Sequence, residues 1–235
     1  MESMKTTLQK RYEEFWRQHY KTFIDFTDIG IELGDFLNDE KGGLVFVGVN
    51  PSGANKQYYN DYFAKEENKY KRIKENPQNA VIWYSPDEQH RKKDGFLKAA
   101  EKFVQECGYE HYSKLDVFCV VKKNQKDVQL HFELHKKVYR EMFSIFADTI
   151  VDIRPKVIVV ANAFVRDLFL EEGFDNIIKC ERNEDFGGYL ASINNGQFET
   201  QVYFSSMLSG QRALDVGSRE NLIWLIRNYT TKNNI

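Results

Sequence analysis

The first place in this chain where residue types could do chemistry is Gly48-Val49-Asn50-Pro51-Ser52-Gly53, at the end of an apolar run. Glycine lets a backbone or ligand come close, and proline rigidifies the exit. An asparagine amide held there offers a donor and an acceptor together, enough to orient a water or read a base edge. Asn-Pro is also ordinary turn chemistry, and taken alone the plain turn is the commoner outcome.

The second place is Ser205-Ser206-Met207-Leu208-Ser209-Gly210-Gln211-Arg212. Serine hydroxyls, backbone N–H groups and a guanidinium suit phosphate oxygens. Met207 and Leu208 are apolar inside this polar stretch, so they either wedge between bases or tuck into the core. A third region mixes Tyr58, Tyr59, Tyr62, Tyr70, Trp83 and Tyr84 with Lys56, Lys65, Lys69, Lys71, Arg72 and Lys74, followed by His90-Arg91-Lys92-Lys93. Aromatics among basic residues suit unpaired bases, but Asp61, Glu66, Glu67 and Glu75 make an ion-paired helix face an equal reading.

Other chemistries find little support. His131 and His135 are spaced i,i+4, yet no Glu follows the first as in a zincin helix, so no metal is expected. There is no G-x-S-x-G elbow, no G-x-G-x-x-G and no P-loop. The three cysteines, Cys107, Cys119 and Cys180, form no C-x-x-C pair and fit a reducing compartment.

The elements that must position these residues follow from periodicity. Apolar runs predict buried strands over Leu44 to Val49, Leu115 to Val121, Lys156 to Ala161 and Val202 to Phe204. Shorter strands are expected at Ile177 to Lys179 and Tyr189 to Ile193, with a turn at Asn194-Asn195-Gly196. Helical spacing marks Leu8 to Phe26, Gly95 to Cys107, Leu130 to Val151 as one long helix, Ala163 to Leu170, and Arg219 to Tyr229. Apolar strands alternating with helices predict an α/β fold with a mostly parallel sheet, whose ligand sits at the C-terminal strand ends. Asn50, Val121 to Lys123, Asn162 and Ser205 to Arg212 lie there.

With 33 basic against 35 acidic residues and a net charge of −2, the chain carries no uniformly basic coat. At 42% hydrophobic it is no acidic disordered protein. No run approaches the ~18 apolar residues of a membrane span, and Met1 to Lys5 opens without the apolar stretch of a secretory signal. A cytoplasmic protein with no membrane partner is expected.

Order and spacing of the strand-end motifs resemble the uracil-DNA glycosylase superfamily from about residue 42 to 229. Phe46-Val47-Gly48-Val49-Asn50-Pro51-Ser52-Gly53 is similar to its G-x-N-P-G first motif. Phe204 to Arg212 lines up with its H-P-S-P-L-S motif followed by Arg, Phe118 to Lys122 resembles the second strand, and Lys156 to Phe164 the third strand with its helix. The resemblance implies a single domain over 1–235 with an N-terminal helical extension over 1–40. It also implies a three-layer α/β/α sandwich around a central four-stranded, mostly parallel sheet, which flips a base into a pocket.

By the same resemblance Asn50 orients the attacking water. Gly48, Pro51, Ser52, Cys119, Phe204 and one or more of Tyr58, Tyr59 and Tyr62 line the base pocket. Ser206, Leu208, Ser209, Arg212 and Lys122 face DNA, with Leu208 filling the space the base vacates. The implied protein is a monomer that needs no cofactor or metal and hydrolyses the N-glycosidic bond of a damaged or deaminated base, on single- or double-stranded DNA. Two positions depart from the pattern: the family's histidine falls on Phe204, and its base-reading asparagine on Cys119. Neither replacement can offer the matched polar contact that strong discrimination for uracil needs. A non-catalytic nucleic-acid or nucleotide binding module, and a small-molecule N-glycoside hydrolase, are the alternatives.

Overall fold

The computed structural model describes residues 4–27, 29–34, 43–51, 76, 80–83, 94–171, 174, 176–208 and 213–233. Its helices are α1 (Met4–Phe23), α2 (Gly95–Glu106), α3 (Gln125–Leu134), α4 (Lys136–Ile153), α5 (Ala163–Leu170) and α6 (Val216–Lys232). Its strands are β1 (Ile31–Leu33), β2 (Leu44–Gly48), β3 (Val81–Trp83), β4 (Tyr112–Asp116), β5 (Val157–Val160), β6 (Ile178–Arg182), β7 (Tyr189–Ile193) and β8 (Phe198–Phe204). The chain forms two compact units. One comprises Met1–Asp35, Val49–Pro86 and Asp116–Phe146; the other comprises Phe36–Gly48, Asp87–Leu115 and Ala147–Ile235. Among the described residues no helix is long and apolar enough to cross a membrane.

The second unit is built on a six-stranded sheet in the order β4-β2-β5-β8-β7-β6. All four residues of β5 are buried, as are Leu44 to Val47 of β2, which is why both segments read as unbroken apolar runs. β5 pairs in parallel with β2 and with β8, whereas β8, β7 and β6 pair antiparallel. The α/β expectation holds, with the four expected strands consecutive, but the sheet has six strands rather than four. The extension is a hairpin that turns at Asn194, Asn195 and Gly196, with φ of 49°, 55° and 85°. Asn and Gly are the residues that tolerate such angles. Lys179, Glu181 and Arg182 are exposed on edge strand β6, where charge discourages further pairing.

Behind that sheet, Phe46, Phe103, Tyr112, Tyr203 and Ile226 share one apolar cluster. Gln201, fully buried in β8, donates from Nε2 to the Gly187 carbonyl at 2.6 Å and accepts from Asn183 Nδ2 at 2.9 Å. This clamps the β6–β7 connection to β8. Gly188 sits there at φ 71°, with its missing Cβ only 2.6 Å from the Val202 carbonyl oxygen, so no side chain fits.

The first unit packs α1 through buried Leu8, Tyr12, Phe15, Trp16 and Phe23, as its aromatic stripe predicts. β1 and β3 form a separate two-stranded parallel sheet, so the 1–40 segment holds a strand as well as a helix. Phe118 stacks on Phe132 and meets Tyr139 edge-on, with Phe23 also edge-on to Tyr139.

Two sequence expectations need correction. The second core strand ends at Asp116 instead of reaching Val121. Val117 to Val121 remain buried, but they follow a separate set of backbone partners: Phe118 N–H donates to Val49, and Val121 N–H to Gly30. Apolarity reports burial, and burial outruns the ladder here. The long helix expected over 130–151 is two helices, broken at His135 with φ −130° and ψ 34°. Neither glycine nor proline marks the break, because the apolar spacing continues across it.

Candidate functional site

Asn50 lies two residues past β2, in the first unit, and only 5% of its surface is exposed. Its Nδ2 donates to the carbonyls of Pro51 at 2.9 Å, Val120 at 3.3 Å and Lys122 at 2.8 Å. The Pro51 carbonyl also accepts from the Lys122 N–H at 3.0 Å, and the Val49 carbonyl from Phe118 N–H at 2.8 Å. The side chain therefore staples the 49–51 turn to the 118–122 segment. Its Oδ1 is buried without a hydrogen-bond partner among the described residues. The surroundings fix which end of the amide is which, since a reversed amide would set Oδ1 against three carbonyl oxygens.

A buried acceptor left unmade costs about 1–3 kcal/mol. Asn50 thus presents one fixed, unanswered acceptor, which a water or an N–H or O–H donor of a ligand would satisfy. Its donor end is committed to the backbone and has no capacity left to read a base.

Cys119, also 5% exposed, donates its thiol to the Asp116 carbonyl at 3.5 Å and shares a hydrogen bond with the Tyr12 hydroxyl. Burial first, then Cys119 and Asp116, push the Tyr12 hydroxyl well above its usual pKa. The Tyr12 hydroxyl is therefore a neutral member of an internal polar network that includes the Cys119 thiol. Lys122 is half-buried, with its ammonium 5.1 Å from the centre of the Phe26 ring.

Phe26 carries a second neighbour on its face: His131 stacks at 3.9 Å with an interplanar angle of 12°. One His131 ring nitrogen meets the Tyr139 hydroxyl at 3.0 Å, and the ring also bonds to the Thr22 backbone. Burial, the neighbouring His135 and Lys122 lower its pKa to about 4, despite the opposing effect of Thr22. This histidine joins α1, α3 and α4. Among the described residues no three His, Cys, Asp or Glu side chains are grouped to hold a metal.

In the second unit, Gly48 ends β2 and Phe204 ends β8. The Phe204 ring sits between Phe169 and Tyr189, at centroid distances of 6.2 and 5.0 Å. Ser205 N–H continues the parallel ladder to the Val160 carbonyl at 2.8 Å. Ser206 is exposed, and Ser205 Oγ donates to its carbonyl at 2.9 Å.

The two apolar residues of this loop part company. Leu208 packs against the cluster of Phe46, Tyr203 and Leu222, while Met207 is 42% exposed. Met207 is held by a bridge to Ala213 and by Leu214 N–H donating to its carbonyl at 2.9 Å. The outward apolar side chain is therefore Met207, to which the sequence motif gives no role. Alternation past a strand end was the only signal available.

Asn162 serves the backbone rather than a ligand. Its Oδ1 caps α5 by accepting from Phe164 N–H at 2.9 Å and Val165 N–H at 3.3 Å. Of the remaining candidates, Pro51 is buried beside Asn50. Ser52, Tyr58, Tyr59, Tyr62, Ser209 and Arg212 lie outside the described residues. Asn50, Pro51, Cys119 and Lys122 belong to one unit; Gly48, Phe204, Ser206 and Leu208 belong to the other.

No family model matches the chain, and no curated protein matches it at a significant level.

Proposed function

We propose that the protein hydrolyses the N-glycosidic bond of a damaged or deaminated base in DNA, with Asn50 Oδ1 holding the attacking water. One observation carries the reading: a buried asparagine whose donor end is fixed by three carbonyls and whose acceptor end is unanswered. An acceptor held that rigidly orients a water without reorganising during the reaction. In this reading β4-β2-β5-β8 is the four-strand core of an α/β/α sandwich, DNA approaches the strand ends, and the protein acts as a cytoplasmic monomer.

Cys119 narrows the substrate. A thiol bonded internally leaves a uracil oxygen without a matched partner, so the reading favours a base other than uracil or a weakly selective pocket. The same residue favours a second reading, a nucleic-acid binding module without catalysis. Oligonucleotides carrying uracil, hypoxanthine or xanthine, followed by alkaline cleavage at abasic sites, separate them. Product that disappears with Asn50→Ala supports the hydrolase. Salt-sensitive binding of single-stranded DNA without base release supports the module. Cleavage of free nucleosides with DNA left untouched would instead indicate a small-molecule N-glycoside hydrolase.

A further inference from the structure

Helix α3 buries Val128 and Phe132 but turns two leucines outward, Leu130 at 68% exposure and Leu134 at 79%. They are one helical turn apart, so they form a single apolar ridge on that helix. Exposed Lys123, Lys126 and Lys137 flank it along the chain. On the same stretch Glu133 pairs with Lys136 at 3.0 Å, while Asp127 accepts from the neutral Asn124 Nδ2 at 3.2 Å and keeps its charge, so residues 123–137 hold four lysines against two acids. The outward character of this ridge is therefore apolar and positive.

From this charge complementarity we infer that the α3 ridge is a docking surface for an acidic amphipathic helix of a protein partner, leucine against apolar side chain and lysine against carboxylate. Such a ridge packs into the groove of a facing helix. Nucleic acid fits less well, because phosphates offer the leucines nothing. An anionic bilayer calls for a denser basic cluster, usually 4–8 residues, without the interleaved Asp127 and Glu133. A second copy of this chain would meet the ridge with the same positive charge.

Fluorescence anisotropy of the full chain tests this, using a labelled Leu/Glu peptide of about five helical turns with apolar residues at i and i+4, and its Leu/Lys counterpart. The acidic peptide should bind at least about tenfold tighter than the basic one. Leu130→Gln with Leu134→Gln should weaken binding by at least about tenfold, with the melting curve unchanged because both sites are exposed. Lys126→Glu with Lys137→Glu should shift preference toward the basic peptide. Equal binding of both peptides, binding indifferent to the leucine substitutions, or no binding overturns the proposal. Leucine-dependent binding to phosphatidylserine vesicles in preference to the acidic peptide also overturns it, as does leucine-dependent self-association.

Discussion

Asn50→Asp replaces one atom of the side chain and reverses its relation to the backbone. In the native turn Nδ2 makes three N–H···O=C contacts, at 2.8, 2.9 and 3.3 Å. Nδ2 has two hydrogens, so the 3.3 Å contact shares one of them; at about 1 kcal/mol net for each full hydrogen bond, losing the donor costs about 2 kcal/mol before charge is considered. The aspartate then sets a carboxylate oxygen against three carbonyl oxygens at a site that is 5% exposed. Desolvation and this dipolar repulsion both disfavour the ionised form, so its folded-state pKa rises above the unfolded value of about 3.9. Between those two values the folded state binds more protons than the unfolded state. Stability therefore falls as pH rises, by about 1.4 kcal/mol per pH unit until the folded pKa is reached. Asn50→Ala removes the donor without adding charge, so its deficit should not depend on pH. Urea unfolding of the wild type and both variants at pH 4.5 and 7.5 measures this. The deficit of Asn50→Asp should be larger at pH 7.5 than at 4.5, and larger than that of Asn50→Ala. An Asn50→Asp protein as stable as Asn50→Ala at both pH values would refute it.

Acid should loosen the His131 contact between α1, α3 and α4. Its pKa is lowered from 6.5 to about 4, so the unfolded state binds the extra proton and stability is lost as pH falls through that window. Discounted for solvent exposure, the loss is about 1–2 kcal/mol, and unfolding midpoints of His131→Gln should lack that increment. Gly188→Ala should cost about 2–4 kcal/mol by thermal unfolding, because its Cβ would meet the Val202 carbonyl at 2.6 Å. Gly108→Ala, at φ 85° with nothing within 4 Å, should cost only about 1 kcal/mol. Asn162→Ala should lower stability by about 1 kcal/mol through its lost cap, with no effect on any base release. Leu208→Ser should destabilise the second unit, whereas Met207→Ser should leave the melting curve unchanged.

Where sequence spacing and burial coincide, the chain was legible. Leu44 to Val47 and Val157 to Val160 are apolar at every residue because both faces are covered, and both became central strands. Asn194-Asn195-Gly196 announced its hairpin because few other residues accept those φ values. The end of β4 was hidden, since Val117 to Val121 are as apolar and as buried as the strand before them. So was the break at His135, where stacking and capping contacts replace the usual glycine or proline signal. At the candidate site, the sequence marked Asn50 but could not show that its donor end is committed and its acceptor end is not. That depends on carbonyls far along the chain, at Val120 and Lys122. The strand motif that likens Cys119 to a base-pocket residue does not encode the bonds of its thiol to Asp116 and Tyr12.

Single-turnover base release from oligonucleotides bearing uracil, hypoxanthine or xanthine, comparing the native protein with Asn50→Ala, tests the water-holding role of Asn50 most directly. Release is expected from at least one lesion, slowed by about a hundredfold or more when the water-holding amide is removed. No release from any lesion, or equal rates for the two proteins, would contradict it.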